Sequence, residues 1–305
     1  MTAASERLDL DGMVAVVTGG ANGIGKGVVR ALLGRGVRVV IADIEAPVLD
    51  ATVAELSGEG ELSGEGMVSG VVTDVSDESS FANLADQVYD RHGKCNLLFN
   101  NAGVTSGGGG LPWQQEPNDW RWCFGVNVFG TAIGVSTFVP RMIESGEPGQ
   151  IINTSSTDGG IAPVPTASVY AASKAAVSCF TEALQHNLIS QDTLLRASVF
   201  YPSGGLLDTG LYTAQRNRPD HLQRVGEATG RKSMSFDELK EMVAQATGSE
   251  PPVADLEQLG EFVADSVAAR DYIIGRNLER QQTLLEQRAV SIGRGELPAA
   301  HKVTG

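Results

Sequence analysis

A glycine-rich turn near the start of the chain constrains the fold more than any other feature of the sequence. The turn reads Thr18-Gly19-Gly20-Ala21-Asn22-Gly23-Ile24-Gly25, and it separates a short apolar run from a stretch of helix formers. Glycines at 19, 23 and 25 let the backbone turn tightly, approach a pyrophosphate closely and pack a helix against a strand. The helix that follows offers amide donors and the positive end of a dipole. The pattern predicts a dinucleotide-binding β-α-β unit.

The rest of the chain continues the alternation of short apolar runs and helical patterns. Such alternation is typical of a parallel sheet with helices on both faces. We therefore predict an α/β fold with a single doubly wound parallel sheet of about seven strands, and one domain over residues 1–305. The strands are expected at 13–17, 37–42, 67–72, 97–99, 151–153, 195–200 and 272–274.

Three segments stand apart from this alternation. The hexapeptide at 55–60 is repeated without change at 61–66, and its glycines indicate a solvated loop. The polar stretch after the sixth strand predicts a helical substrate lid at 203–252, since ligands bind at the carboxyl ends of such strands. Residues 277–305 are expected to form a C-terminal helical extension with a loose end.

Composition narrows the classes of function and the compartment. The chain has 23 Lys and Arg against 37 Asp and Glu, a net charge of −14, which disfavours binding to nucleic acid or to an anionic membrane surface. No uninterrupted apolar run approaches the roughly 20 residues of a membrane-spanning helix. The first ten residues lack the order of a secretory signal. A cytoplasmic location is expected.

The cysteines and histidines indicate neither disulfides nor a metal site. Cys95, Cys123 and Cys179 are odd in number and lie in apolar segments, which predicts buried, reduced thiols. The histidines have no metal-ligand spacing and no Cys-x-x-Cys beside them. They stand at His92, His186, His221 and His301.

Asp43, at the end of the second strand, indicates the choice of cofactor. An acidic side chain at this position accepts hydrogen bonds from the hydroxyls of an adenosine ribose. A 2′-phosphate would meet the carboxylates of Asp43 and Glu45. Positions 22 and 44 are Asn22 and Ile44, so neither offers an Arg or Lys to bind that phosphate. NAD is therefore expected rather than NADP. The alternative is that Asp43 only caps the strand.

Tyr170 and Lys174 form a pair that carries acid–base chemistry. They are four residues apart in an Ala-rich segment, so both project from one face of a helix. An ammonium nearby lowers the pKa of a tyrosine from its ordinary value of about 10, which makes proton exchange with an alcohol or ketone oxygen practicable. The alternative for such a pair by itself is a solvated helix face.

These motifs, in this order, resemble the short-chain dehydrogenase/reductase family. The resemblance runs from about Gly12 to Thr209, returns at the last strand, and implies a Rossmann fold. Besides the glycine turn it is carried by Asp74-Val75, Asn100-Asn101-Ala102-Gly103, Asn127-Val128-Phe129-Gly130, Ser155-Ser156-Thr157-Asp158-Gly159 and Tyr170-Ala171-Ala172-Ser173-Lys174.

The resemblance implies catalytic roles. Tyr170 would be the acid/base, Lys174 its pKa modifier and a ribose ligand, and Ser156 the partner of the reacting oxygen, with Ser155 as the fallback. Asn127 would hold a water that links Lys174 to solvent. The implied cofactor-binding residues are Gly19, Asn22, Gly23, Ile24, Gly25, Asp43, Asp74, Val75, Asn101, Ala102, Gly103, Tyr170, Lys174 and Thr209, while Asn100 either contacts the ligand or ties strands together.

Two stretches depart from the family pattern. The one from Ser156 to Tyr170 is one residue longer than the commonest spacing. After the sixth strand, a Pro-Gly turn is replaced by Tyr201-Pro202-Ser203-Gly204-Gly205. Leu207 and Thr209 therefore match nicotinamide-side positions only if two extra residues loop out.

The expected substrate is a secondary alcohol or ketone on a bulky apolar or aromatic skeleton. The candidate pocket residues are Trp113, Ile161, Val164, Tyr201 and Tyr212, whereas Trp120 and Trp122 are expected in the core. No cluster of basic residues adjoins the catalytic motifs, which disfavours a phosphorylated or carboxylated substrate.

Residues 138–143, the lid and the tail also resemble a subgroup that includes bacterial dehydrogenases of benzylic alcohols in lignin-derived aryl ethers. Hydroxysteroid and terpenoid alcohols are alternative substrates, and a non-catalytic nucleotide-sensing regulator is an alternative of another class. The family usually forms homodimers or homotetramers, and the segments 120–143 and 167–188 are apolar on more than one face.

Overall fold

A computed structural model describes residues 7–58, 66–106, 110–226 and 235–300 of the protein. Its strands are β1 (Val14–Thr18), β2 (Arg38–Asp43), β3 (Val68–Val72), β4 (Leu97–Asn100), β5 (Gly149–Thr154), β6 (Leu195–Phe200) and β7 (Ile273–Ile274). Its α-helices are α1 (Gly23–Leu33), α2 (Ala46–Gly58), α3 (Glu78–His92), α4 (Pro117–Phe124), α5 (Gly130–Ser145), α6 (Thr157–Gly160), α7 (Ser168–Ser190), α8 (Phe236–Thr247), α9 (Leu256–Ala269) and α10 (Leu278–Gly293).

The strands form one parallel sheet in the order β3-β2-β1-β4-β5-β6-β7. β1 lies between β2 and β4, so the chain changes direction across the sheet after β3. In doubly wound folds this switch point leaves a crevice at the carboxyl ends of the strands. The predicted fold class is confirmed, and the strands lie within two residues of the predicted bounds at either end.

Apolar side chains cover both faces of the sheet. On one face α1, α2 and α9 bury residues such as Leu32, Leu56 and Val263. On the other face α3, α5 and α7 bury residues such as Phe81 and Phe138. The strands between them read as nearly continuous apolar runs because both of their faces are covered.

The first copy of the repeated hexapeptide is not wholly a loop. Residues 55–58 complete α2, where Leu56 is fully buried and Glu55 pairs with Lys26 at 2.7 Å. The loop prediction was therefore wrong for these residues, because an apolar side chain at helical spacing reaches the core. Residues 59–65 lie outside the described residues.

Cys95 and Cys123 are buried, but Cys179 is exposed, so the burial prediction was wrong for that thiol. It lies on the outer face of α7, which packs against the sheet with other residues. Within the described part of the chain no group of three or more His, Cys, Asp or Glu side chains is placed to hold a metal ion.

The segment 203–252 contains 3₁₀ turns at Gly210–Asn217 and Asp220–Leu222 and the helix α8, and the tail forms α10.

A continuous helical stretch, Pro117–Ser145, is by length and composition apolar enough to cross a membrane. Core helices of soluble proteins meet the same criteria, and 44% of its most apolar window is buried in the protein. Phe138 and Met142 form the buried face of this stretch against the sheet.

The contact between α1 and α9 depends on two glycines. A Cβ on Gly260 would lie 2.2 Å from the carbonyl oxygen of Gly27, and a Cβ on Gly27 would lie 2.3 Å from that of Leu256. These contacts are with backbone atoms, which cannot move aside as the end of a flexible side chain can. The two helices would therefore have to separate.

Gly260→Ala is expected to lower the free energy of unfolding by about 3 kcal/mol, because overpacking at backbone contacts displaces a whole helix. Gly293→Ala is the control, since nothing lies within 4 Å of its added methyl. That variant should stay within about 1 kcal/mol of the wild type. Urea titration of the three proteins measures both effects, and equal stability of the two variants would contradict the packing argument.

Candidate active site

A cavity of about 520 Å³ opens at the carboxyl ends of β1, β4 and β5. Its wall contains most of the residues predicted to bind cofactor or substrate. These are Gly19, Asn22, Gly23, Ile24, Gly25, Asp43, Asp74, Val75, Asn101, Ala102, Gly103, Ser156, Tyr170, Lys174 and Thr209. Asn127 is not on the wall but behind it.

The glycine turn forms a shallow cradle that side chains would fill. A Cβ on Gly25 would lie 2.1 Å from the carbonyl oxygen of Gly19, and Gly19 and Gly23 have φ of +61° and +55°. No side chain caps the first turn of α1, which begins at Gly23. Its amides and dipole therefore remain for an anion, and the cradle fits the diphosphate of a dinucleotide.

Thr18 and Asn101 hold the edges of the cavity together. The Thr18 hydroxyl donates to the Phe99 carbonyl at 3.1 Å and accepts from the Asn101 and Ala102 amides at 2.9 and 3.0 Å. The Asn101 side chain donates to the carbonyls of Thr18 and Gly19. No role for Thr18 follows from the sequence pattern, although this residue opens the glycine turn. Asn100, in contrast, ties strands together through Asn153, at 2.9 Å.

Asp43 both caps its strand and lines the cavity. Its carboxylate accepts from the amides of Ala21 and Glu45, each at 3.1 Å. Burial raises the pKa of Asp43, while these amide hydrogen bonds oppose the rise. The two interpretations offered by the sequence are thus compatible, because one carboxylate has more acceptor positions than two amides use.

A basic residue reaches this end of the cavity from a distant part of the chain. Arg216 lies on the 3₁₀ turn Gly210–Asn217, and its guanidinium holds the Glu45 carboxylate with Nε at 2.9 Å from Oε2. Both residues line the cavity. Arg216 was not predicted from the sequence, since no local signal relates it to Asp43 across more than 170 residues.

Tyr170 and Lys174 project from α7 into the same cavity. Lys174 Nζ lies 5.7 Å from the centre of the Tyr170 ring and donates to the carbonyl of Thr154 at 2.8 Å. Burial lowers the pKa of Lys174 to about 8. The expected depression of the tyrosine pKa is not found, because burial and the nearby Asp158 charge raise the pKa of Tyr170 above 10.

The structure separates the two serines. Ser156 lies on the cavity wall, where its hydroxyl interacts with that of Tyr170 and accepts from the Asp158 amide at 3.1 Å. Ser155 is buried, and its hydroxyl donates to the Lys174 carbonyl at 2.8 Å. Ser156 thus faces the tyrosine, while Ser155 fastens β5 to α7.

Asn127 lies in a π-helical turn, Gly125–Phe129, which joins α4 to α5. Its amide donates to the Val104 carbonyl at 3.0 Å and to the Ser173 hydroxyl at 2.9 Å, and its oxygen accepts from the Val104 amide at 2.8 Å. A Cβ on Gly103 would lie 3.4 Å from both this oxygen and Lys174 Nζ. Asn127 therefore supports the loop that passes in front of Lys174.

The substrate end of the cavity differs from the predicted pocket. Of the five candidates only Tyr212 lines it. Trp113 is 78% exposed away from it, Val164 is buried in packing, and the Tyr201 hydroxyl bonds to Ser178 at 3.1 Å. Besides Tyr212, the cavity wall also contains Val104, Trp122, Val126, Leu207, Leu211, Ala214, Pro219, His221 and Leu222, most of them apolar.

The tryptophans on α4 also differ from expectation. Trp122 is buried as predicted but lines the cavity, whereas Trp120 is 37% exposed and pairs with Phe124. The Arg218 guanidinium lies 5.2 Å from the centre of the Trp122 ring and bonds to the buried Asp119 at 2.9 Å. This pair fastens the segment 203–252 to α4.

Comparisons with known proteins agree with this geometry. The profile of the short chain dehydrogenase family matches residues 13–219. A C alpha-dehydrogenase of Sphingobium sp. strain SYK-6 is 34% identical over 229 residues, 74% of this chain and 71% of that protein. A 1-deoxy-11-beta-hydroxypentalenate dehydrogenase of Streptomyces avermitilis is 34% identical over 247 residues, 80% and 84% of the two chains.

A solved structure is similar over almost the whole chain. It is a short-chain dehydrogenase/reductase from Burkholderia phymatum in complex with NAD, 32% identical, with a TM-score of 0.82. The match covers 97% of this chain and 99% of that one. The likeness therefore extends beyond the sheet and its flanking helices.

The lowered pKa of Lys174 predicts a pH-dependent stability. Between about pH 8 and pH 10.5 the unfolded chain holds the Lys174 proton and the folded protein does not, so the free energy of unfolding rises with pH. The rise attributable to Lys174 is about 3 kcal/mol over that window. Urea unfolding of wild type and Lys174→Met at several pH values isolates it as a difference, because other groups titrate in both proteins. A pH-independent difference would contradict the burial of the ammonium.

Proposed function

We propose that this protein is an NAD-dependent dehydrogenase of secondary alcohols, or a reductase of the corresponding ketones. The chain belongs to the short chain dehydrogenase family, as its motifs predicted. One observation carries the proposal. Tyr170, Lys174 and Ser156 lie on the wall of the cavity that the glycine turn and Asp43 also line. Proton transfer and dinucleotide binding are thus brought to one site.

The side chains divide the acid–base work. Ser156 donates a hydrogen bond to the oxygen of the substrate, and Tyr170 takes the proton of an alcohol or returns it to a ketone. When bound, the nicotinamide supplies the hydride acceptor or donor. Lys174 places a positive charge near the Tyr170 ring, which favours the phenolate against the effect of burial.

NAD is the cofactor that we propose, although members of the family use NAD or NADP. The Asp43 carboxylate lies at the cavity wall, where it can accept from ribose hydroxyls. A 2′-phosphate at the same place would meet the charges of both Asp43 and Glu45. Arg216 neutralises Glu45 but leaves Asp43 to repel the phosphate.

The proposed substrate carries its alcohol or ketone on a bulky apolar or aromatic skeleton. The wall that contains Tyr170 also contains the apolar and aromatic side chains of Trp122, Leu211, Tyr212 and Leu222. The similarity to a C alpha-dehydrogenase supports an aryl-substituted alcohol, and the similarity to a hydroxypentalenate dehydrogenase supports a terpenoid alcohol as the second candidate. Hydroxysteroids fit the same apolar wall. A non-catalytic regulator is disfavoured, since it would need none of the acid–base residues.

We also propose a cytoplasmic homodimer or homotetramer that associates through α5 and α7. Phe129, directly before α5, Ile143 on α5 and Ile189 on α7 are exposed. Apolar side chains on surface helices favour burial against a second copy. Light scattering at micromolar concentration should show twice or four times the chain mass, and a monomer would contradict this assembly.

Tyr170→Phe is expected to lower turnover by roughly a thousandfold, about 4 kcal/mol in activation free energy, because the substrate oxygen loses its proton partner. NAD affinity should stay nearly unchanged, since the ring remains. The assay is the absorbance of reduced nicotinamide with NAD and a panel of aryl, terpenoid and steroid alcohols, and with NADP for comparison. Lys174→Met should lose NAD affinity together with rate.

Tyr89→Phe is the matched control, because its hydroxyl is buried on α3 outside the cavity. Its turnover should equal that of the wild type. If Tyr170→Phe kept more than about a tenth of the activity, the proton would move through another group. No turnover by the wild type with any alcohol of the panel would overturn the proposed substrate class.

A further inference from the structure

Arg216 is placed across the cofactor end of the cavity by the segment that precedes it. Thr209 packs over Gly23 of the glycine turn, where an added Cβ would lie 3.2 Å from the threonine side chain. The 3₁₀ turn Gly210–Asn217 then leads to Glu45, beyond the end of β2. The segment thus runs beside the cavity from the diphosphate cradle to the position expected for the adenosine ribose.

Each nitrogen of the Arg216 guanidinium makes at least one hydrogen bond in the present structure. Its Nε and one terminal nitrogen hold the Glu45 carboxylate, and the other terminal nitrogen donates to the Gly210 carbonyl at 3.1 Å and the Thr213 hydroxyl at 2.8 Å. The two charges of Glu45 and Asp43 both raise the pKa of Arg216, so it remains a cation. A carboxylate held by two nitrogens occupies the edge of the guanidinium that binds a phosphate equally well.

The other cations of the cavity wall are differently placed. Lys174 bonds to Thr154 beside Tyr170, and Arg121 lies on α4, where it bonds to Asn118 at 2.9 Å. Among the described residues on the wall, Arg216 is the cation that bonds next to Asp43. A phosphate on the ribose would therefore meet one repelling carboxylate, Asp43, and one guanidinium whose counter-ion is Glu45.

We propose that Arg216 is a determinant of cofactor specificity: its guanidinium can bind the 2′-phosphate of NADP. In the present structure Glu45 pairs with that guanidinium, and the Asp43 carboxylate repels the phosphate. The inference rests on the proposed dinucleotide site and adds to it. Removing the Asp43 charge removes the repulsion of the 2′-phosphate, and removing the Glu45 charge leaves the Arg216 guanidinium without its counter-ion. The selection against NADP thus depends on carboxylates that outweigh a cation, with the cation supplied by the segment 203–252.

The competing explanation is that Arg216 only fastens this segment to Glu45. A fastening role affects NAD and NADP alike, because the two cofactors share everything but the 2′-phosphate. A receptor role affects NADP and leaves NAD nearly unchanged. The ratio of the two dissociation constants therefore separates the explanations without any measurement of turnover.

The test is calorimetric titration of NAD and NADP into five proteins. They are the wild type, Asp43→Ala, Asp43→Ala with Glu45→Gln, Asp43→Ala with Arg216→Gln, and Asp43→Ala with Arg35→Gln. Asp43→Ala should tighten NADP binding about tenfold, the size of one charge-assisted contact, while weakening NAD. Adding Glu45→Gln should tighten NADP further, and adding Arg216→Gln should abolish the gain.

Arg35→Gln is the control for loss of a cation, since Arg35 pairs with Glu261 and Asp265 away from the cavity. It should leave both dissociation constants as in Asp43→Ala. If thermal unfolding shows that Asp43→Ala is not stably folded, Asp43→Ser is used in its place, because the serine hydroxyl can still accept from one of the two amides.

Two results would overturn the proposal. One is an unchanged dissociation constant for NADP when Arg216→Gln is added to Asp43→Ala. The other is an equal weakening of NAD and NADP by that change, which would show a fastening role. Tight NAD binding by the wild type would leave the proposed function standing in either case, whereas a wild type that binds neither cofactor would overturn both.

Discussion

The hydrogen bonds of Thr18 and Asn101 are the contacts on which the rest of the site depends. They fix the carboxyl ends of β1 and β4 at the point where the chain changes direction across the sheet. A hydroxyl that donates once and accepts twice leaves neither loop free to move alone. The glycine turn on one side and the 101–103 loop on the other therefore face each other at a fixed separation, and the cavity lies between them.

The same edge of the sheet holds the catalytic helix. Lys174 Nζ donates to the carbonyl of Thr154, the last residue of β5, and the Ser155 hydroxyl donates to the backbone carbonyl of Lys174. The first contact offsets part of the cost of burying the ammonium, and the second fixes the backbone of α7 that carries it. Burial also raises the pKa of Tyr170. Without a bound cofactor, the Tyr170 hydroxyl therefore loses its proton less easily than its spacing from Lys174 indicates. The added charge of an oxidised nicotinamide would favour the phenolate.

The segment 203–252 is fastened to the body at two charged contacts of different kinds. Asp119 is wholly buried between Arg218 and Arg224, at 2.9 and 2.6 Å, and loss of the Asp119 carboxylate would leave the buried Arg218 guanidinium without its counter-ion. The Arg216–Glu45 contact is partly exposed and exchanges more readily with a competing anion. One contact thus fixes the wall of the substrate end, while the other borders the cofactor end and can respond to what binds there.

The sequence by itself determined the sheet, the glycine cradle and the acid–base pair. Apolar runs of strand length, glycines at 19, 23 and 25, and the spacing of Tyr170 and Lys174 are local patterns, and local backbone geometry fixes what they do. Only the tertiary structure decided that Ser155 bonds to the Lys174 carbonyl, that Trp122 lines the cavity and that Tyr201 and Val164 do not. It also brought Arg216 to Glu45. Such contacts join residues far apart in the chain, and they depend on packing between elements, which no periodicity within one element records.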